Sequence, residues 1–228
     1  MQIAEIFYSL QGEGRLAGTP SVFVRTSGCN LRCVWCDTPY TSWAPEGEER
    51  NVGEILSQVT RYPNRHVVLT GGEPLLAREI EQLTAELKFL GAHITIETAA
   101  TIFKPVTCDL VSMSPKLAHS TPWRRAKGKF VEMHERARLN FAVIQQFMER
   151  YDYQLKFVVQ QEDDFAEIQE ILGGLKNADP ARVLIMGQGT TTRELRAKRS
   201  WIVKLCEIYG FRYTPRLHID LFGNRRGT

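Results

Sequence analysis

The chain has 228 residues, of which 43% are hydrophobic and 24% charged, and its formal charge is +3. That length suits one domain with a core of its own, expected over 1–228, and the mix is that of an ordinary globular protein. The weak positive balance favours anionic ligands; without a basic stripe or interleaved aromatics it argues against direct nucleic-acid binding, and no apolar run reaches membrane-spanning length. Five cysteines with three bunched together do not read as a disulfide framework, and Glu5 interrupts the first apolar stretch. A cytoplasmic protein without a secretory leader is therefore expected.

In chain order, EIFYSLQGEG (Glu5–Gly14) precedes a strand at Ser21–Gly28, a helix at Val52–Tyr62 and a second strand at His66–Gly72. A helical pattern over Leu75–Gly91 follows, with Ile80, Leu83, Leu87 and Leu90 on one face. Strands come next at His93–Ala99 and Cys108–Ser114, then a continuous helical pattern over Glu135–Arg150. A strand at Gln154–Gln160, a helix at Asp164–Leu175, a strand at Arg182–Gly187 and a helix over Thr191–Gly210 complete the repeat. The last helix has a Thr cap and a Gly stop. The late YTPRLHIDLFGN (Tyr213–Asn224) and the early segment fall outside the repeat and are expected as extra edge strands. Alternating strand and helix predicts an α/β fold on a parallel sheet, either an incomplete barrel or an open doubly wound sheet. In both, ligands gather at the C-terminal strand ends, where the informative motifs fall. The densest basic stretch, RRAKGK (Arg124–Lys129), reads as a solvated loop, with anion binding as the other reading.

The sharpest motif is SGCNLRCVWCD (Ser27–Asp37), with Cys29, Cys33 and Cys36 in C-x3-C-x2-C spacing. A structural zinc usually takes four ligands, and no fourth lies nearby in sequence. Iron–sulfur clusters are held by thiolates, and a four-iron cluster with three protein thiolates leaves one iron open to a small chelating molecule. Trp35 is placed to cover the cluster or to pack on a ligand ring. TGGEP (Thr70–Pro74) puts Gly71 and Gly72 at a strand end, where a backbone without Cβ can approach a ligand, beside the charge of Glu73.

The cysteine spacing followed by TGGEP resembles the radical S-adenosylmethionine (SAM) superfamily. That resemblance implies an incomplete (β/α)6 TIM-like barrel with small terminal extensions, a [4Fe-4S] cluster on Cys29, Cys33 and Cys36, and SAM on its open iron. One electron from the cluster would cleave SAM to a 5′-deoxyadenosyl radical. Nearly the whole chain, from LQGEG through ETAAT and SMSPK to TPRLHIDLFGNRRG, is similar to the 7-carboxy-7-deazaguanine synthases of that superfamily. These lyases contract 6-carboxy-5,6,7,8-tetrahydropterin to 7-carboxy-7-deazaguanine and ammonia in queuosine and deazapurine biosynthesis.

The resemblance implies substrate contacts at Leu10, Gln11, Gly12, Glu13, Arg25, Thr98 and His218, with Arg25 clamping the substrate carboxylate. It implies cofactor contacts at Trp35, Cys36, Asp37, Gly71, Gly72, Glu73, Ala100, Ser114, Pro115, Lys116 and Gln188, and Mg2+ on Thr38. Ala100 stands where the family commonly has glycine, so a backbone outside the left-handed region is expected there. Cys108 and Cys206 read as small buried apolar residues. A homodimer, reduced by flavodoxin or ferredoxin, is the family expectation. Another small radical SAM enzyme, such as a glycyl-radical activase, and a non-catalytic metal-binding module are the alternatives.

Overall fold

The computed structural model describes residues 1–228. One nine-stranded sheet organises the chain. Strand β1 (Gln2–Leu10) pairs antiparallel with β2 (Pro20–Thr26) and with the short β3 (Glu48–Glu49). From β2 onward every pairing is parallel, through β4 (His66–Gly71), β5 (His93–Thr98), β6 (Leu110–Met113), β7 (Tyr153–Val159), β8 (Val183–Gly187) and β9 (Arg212–Tyr213). The spatial order is β3-β1-β2-β4-β5-β6-β7-β8-β9. A doubly wound sheet reverses its strand order at a switch point. Here the parallel strands advance in one direction, which is the winding of an incomplete barrel.

The strand side chains alternate between two environments, as a two-residue period requires. Val22, Val24, Val67, Leu69, Ile94, Ile96, Leu155, Phe157, Val183 and Ile185 belong to one cluster of 36 buried residues. Helices add to that core, among them Ile80, Leu83 and Leu87 of α2 (Ile80–Phe89). The opposite face carries Arg25, Thr70, Glu97, Ser112, Lys156 and Met186, one from each of the six main parallel strands, and these line a cavity.

Local chemistry explains the other helices. Asn51 and Glu54 form a capping box at α1 (Val52–Val59), and Thr191 and Glu194 form one at α6 (Thr192–Tyr209). Gly210 ends α6 with φ 69°, the left-handed stop that glycine provides. α5 spans Asp164–Gly173. The helix expected over Glu135–Arg150 is two helices, α3 (Val131–Ala137) and α4 (Phe141–Arg150). Asn140 breaks the pattern by leaving helical geometry and accepting the Val143 N–H as a cap. The first turn after TGGEP is a separate 3-10 turn, Pro74–Leu76.

At the C-terminal end only Arg212–Tyr213 is a strand, and Leu217–Phe222 forms α7 rather than the expected edge strand. Pro215 has no N–H for a ladder. The Leu217 N–H instead reaches Gly12 O at 2.8 Å, and Ile219 is buried, docking the helix against the LQGEG turn. No helix is long and apolar enough to cross a membrane.

Candidate active site

The cysteine loop leaves the end of β2 through Gly28, whose φ of 102° suits glycine. Gly28 N donates to Thr41 O at 2.9 Å, and Gly28 O accepts from Glu73 N at 2.9 Å. The loop is braced at almost every residue. Arg32 Nη1 donates to Cys29 O at 2.7 Å and Leu31 O at 2.8 Å. Arg32 N donates to His134 Nδ1 at 3.1 Å, and Trp43 Nε1 to Cys33 O at 2.9 Å. Cys29, Cys33 and Cys36 thereby face a cavity of about 470 Å³.

All five cysteines are free. Burial pushes the Cys29 thiol up to about 11 and the Cys33 thiol up to about 12. Such thiols ionise when a bound metal centre supplies the compensating positive charge. Three sulfur donors along one cavity wall are soft ligands of the kind that hold iron–sulfur centres. Thr38 Oγ1 also lines the cavity, 3.8 Å from Cys36 Sγ. Trp35 is held over His119, with Nε1 donating to His119 Nδ1 at 3.0 Å and His119 Nε2 lying 3.0 Å from Val158 O.

Gly71 and Gly72 line the cavity, yet their need for glycine comes from behind. A Cβ on Gly71, at φ 136°, would lie 2.2 Å from Thr26 O, and one on Gly72 would lie 2.1 Å from Gly28 O. Both glycines let the TGGEP turn press against the cysteine loop, backbone to backbone, whatever else they admit.

Three residues expected at the cofactor do not reach the cavity wall: Glu73, Ala100 and Pro115. Glu73 is buried and accepts from Thr98 Oγ1 at 2.8 Å, Ala99 N at 2.9 Å and Leu75 N at 3.2 Å. Its carboxylate builds the ETAAT turn from behind, and burial raises its pKa. Ala100 corrects the backbone expectation: its φ is 55°, inside the left-handed region. Its N–H donates to Thr98 Oγ1 at 2.9 Å, so the turn that Glu73 organises holds an alanine where glycine would be less strained. Pro115 lies between Ser114 and Lys116, which do line the cavity; Lys116 Nζ donates to Ser114 O at 2.7 Å and Oγ at 2.8 Å.

The remaining expected residues, Leu10, Gln11, Gly12, Glu13, Arg25, Asp37, Thr98, Gln188 and His218, line the same cavity. Gln11 Nε2 donates to Ser21 Oγ at 3.0 Å. Arg25 Nε donates to Glu5 Oε1 at 2.7 Å with its guanidinium over the Phe7 ring. Gly12 is required by His218: a Cβ there would lie 1.8 Å from the His218 ring. Burial pushes the His218 imidazole below its ordinary value, so its neutral form is favoured.

Sequence reasoning missed the charges that hold this wall. Lys156 Nζ, buried in β7, donates to Glu13 Oε2 at 2.5 Å and lies 3.4 Å from Glu97 Oε1. Thr70 Oγ1 donates to the other Glu97 oxygen at 2.9 Å. Arg216 Nε donates to Glu13 Oε1 at 3.0 Å, Nη1 to Gly189 O at 2.6 Å and Nη2 to Asp37 Oδ2. Burial alone would raise the Glu13 and Asp37 carboxyls; the facing cations hold both below their ordinary range. Burial likewise opposes the Lys156 ammonium, yet Glu13 and Glu97 raise its pKa. A lone lysine inside the apolar QLKFVV stretch was a usable signal for Lys156. Arg216 offered none, because its partners are distant in sequence.

Known proteins resemble this chain. Residues 23–119 match the family model of the radical SAM superfamily. Over 227 residues the chain is 46% identical to the 7-carboxy-7-deazaguanine synthase of Rhodopirellula baltica, covering 99% of this chain and 88% of that one. It is 46% identical to that of Halobacterium salinarum, covering 98% and 91%, and 33% identical to that of Pyrobaculum aerophilum, covering 100% and 97%. The fold resembles the crystal structure of QueE from Escherichia coli, with a TM-score of 0.70 at 24% identity over 95% of this chain and 94% of that one. The chain belongs to the 7-carboxy-7-deazaguanine synthase family of radical SAM enzymes.

Proposed function

We propose that the protein contracts 6-carboxy-5,6,7,8-tetrahydropterin to 7-carboxy-7-deazaguanine with release of ammonia. The observation that carries this reading is that one cavity of about 470 Å³ joins the cysteine loop to the wall of Gln11, Glu13, Arg25 and His218. That volume is in the range of small-molecule sites, and the radical must form beside its substrate.

Radical SAM enzymes typically use SAM and a [4Fe-4S] cluster, and here Cys29, Cys33 and Cys36 would hold the cluster. When bound, the pair supplies a carbon-centred radical for hydrogen abstraction. The protein's part is placement. Arg25, fixed through Nε by Glu5, would direct its remaining N–H groups to the substrate carboxylate. Glu13, ionised between Lys156 and Arg216, would accept hydrogen bonds from the pterin edge. Neutral His218, stacked into the space that Gly12 leaves, would close the pocket against water. Thr98, oriented by Glu73, would contact substrate, and Ser114, Lys116 and Gln188 would contact SAM.

Thr38 is the expected magnesium ligand. Its hydroxyl lines the cavity and would hold the ion, while neighbouring Asp37 and Glu13 are engaged by cations. Five free cysteines support a reducing, cytoplasmic setting. Flavodoxin or ferredoxin as electron donor and a homodimeric assembly belong to the same reading. Anaerobic incubation of the reduced protein with SAM and the carboxytetrahydropterin tests it. The expected result is the carboxydeazaguanine and ammonia; deoxyadenosine without deazapurine would leave only a different radical SAM activity.

A further inference from the structure

The basic stretch Arg124–Lys129 plays no part in the site described above. Its cations, Arg124, Arg125, Lys127 and Lys129, fall within six residues, and no acidic residue occurs from Trp123 to Phe130. All four are exposed, and Trp123 beside them is 64% exposed, unusual for so large an apolar ring. The stretch is fastened to the cysteine loop. Arg125 Nη1 donates to Val34 O at 2.9 Å, and its guanidinium lies 3.8 Å over the Trp43 ring. Trp43 in turn donates to Cys33 O, and Val34 N donates to Ser120 O at 2.8 Å. Val34 sits between two of the cysteines and is itself 37% exposed. A cationic, partly aromatic surface therefore lies against the outer side of the loop whose thiols face the cavity.

We propose that Trp123–Lys129 and Val34 form the docking face for a small acidic protein that carries single electrons. The inference rests on the function proposed above, which requires an electron at the cluster. The cavity side of the cysteine loop is reserved for SAM and substrate, so a protein donor approaches from the outer side. Electron transfer weakens steeply with distance, and this face is joined directly to residues bonded to the Cys33 carbonyl. Local positive charge steers an acidic partner, and Trp123 with Val34 supplies an apolar centre of the kind that anchors interfaces. In the step itself one electron leaves the carrier and one arrives at the cluster, with no bond or proton exchanged.

The test uses the cluster-loaded protein and a reduced flavodoxin as probe. Calorimetry at low ionic strength measures binding, and stopped-flow bleaching of the cluster absorbance measures electron delivery by flavodoxin or by dithionite. In the double variant Arg124→Glu with Lys127→Glu, flavodoxin binding weakens roughly tenfold or more and flavodoxin-driven bleaching slows in step. Dithionite-driven bleaching is unchanged. Arg124→Lys with Lys127→Arg keeps parental binding, and Trp123→Ala weakens it without altering the dithionite rate. Flavodoxin affinity and bleaching rate unchanged in the charge-reversed variant would overturn the docking face. A parent protein that bleaches with neither reductant would overturn the proposed function itself, and the docking face with it.

Discussion

The cavity has two walls, built in opposite ways. The cysteine wall comes from short contiguous segments: the loop after β2, the TGGEP turn after β4 and the ETAAT turn after β5. Backbone contacts hold these together, among them Glu73 N to Gly28 O and Gly72 N to Thr26 O. The facing wall is held by side-chain charges from distant segments. Lys156 and Glu13 are 143 positions apart in the chain, and Arg216 and Glu13 are 203 apart. One wall is fixed by shape, with glycines where a Cβ would collide. The other is fixed by charge, with buried carboxylates kept ionised by buried cations. Under the proposed function the first wall would hold the cofactor and the second would orient the substrate, so substitutions in each wall should fail differently.

The largest effect belongs to the cysteine wall. Cys33→Ala should abolish SAM cleavage and leave substoichiometric iron, while chemical denaturation finds the fold little changed. Retained four-iron content would break the assignment of this wall. On the other wall, Lys156→Met strips Glu13 of one cation and leaves an under-compensated buried charge. Such a change costs about 3–5 kcal/mol, measurable by denaturant unfolding. The sign with pH follows: the folded Glu13 pKa is depressed by its cations, so its stabilising contribution is present above the unfolded value and lost as pH falls through the folded one. Without Lys156 the folded pKa rises, so the loss begins at higher pH than in the parent. A variant as stable as the parent throughout would show that this wall does not depend on the pair.

His134 sharpens the contrast, because it ties the cysteine wall to the rest of the molecule. Its Nδ1 accepts from Arg32 N at 3.1 Å and its Nε2 lies 2.9 Å from Ser120 Oγ, a neutral imidazole bonded at both nitrogens. Burial pushes it down to about 4. Stability should be flat above the unfolded value near 6.5, fall by about 3 kcal/mol as pH drops to about 4, and level off below. His134→Gln should remove that component from the pH dependence of unfolding; an unchanged slope would contradict it. The smallest effect is at Ala100. Relieving its left-handed backbone with Ala100→Gly should stabilise the fold by about 0.5–1 kcal/mol, the strain removed being partly offset by the greater freedom of an unfolded glycine.

These differences also explain what was legible beforehand. The parallel strands could be located because each is a short apolar run ending in glycine or a polar turn, and the cysteine wall because its residues are neighbours in sequence. Glu73 was legible as a charge in a ligand-facing motif, but not its partners: its buried carboxylate accepts from Thr98, Ala99 and Leu75, which only the folded turn brings together. Ala100 was misjudged because residue type alone hid the Thr98 hydroxyl that holds its N–H. The Lys156–Glu13–Arg216 arrangement was not legible, since tertiary folding alone brings those groups together. Helix α7 was missed because LHIDLF alternates like a strand, and its docking on Gly12 is a tertiary contact.

The central claim is that both walls serve one reaction space. In the proposed reaction the hydrogen is taken from substrate C6, as the family resemblance implies, so substrate carrying deuterium there, given anaerobically with SAM and reductant, tests this most directly. The account predicts carboxydeazaguanine formation with deuterium recovered in the 5′ position of the adenosyl group. Product or SAM cleavage with that position unlabelled would contradict it, because the radical would then not be meeting its substrate in this cavity.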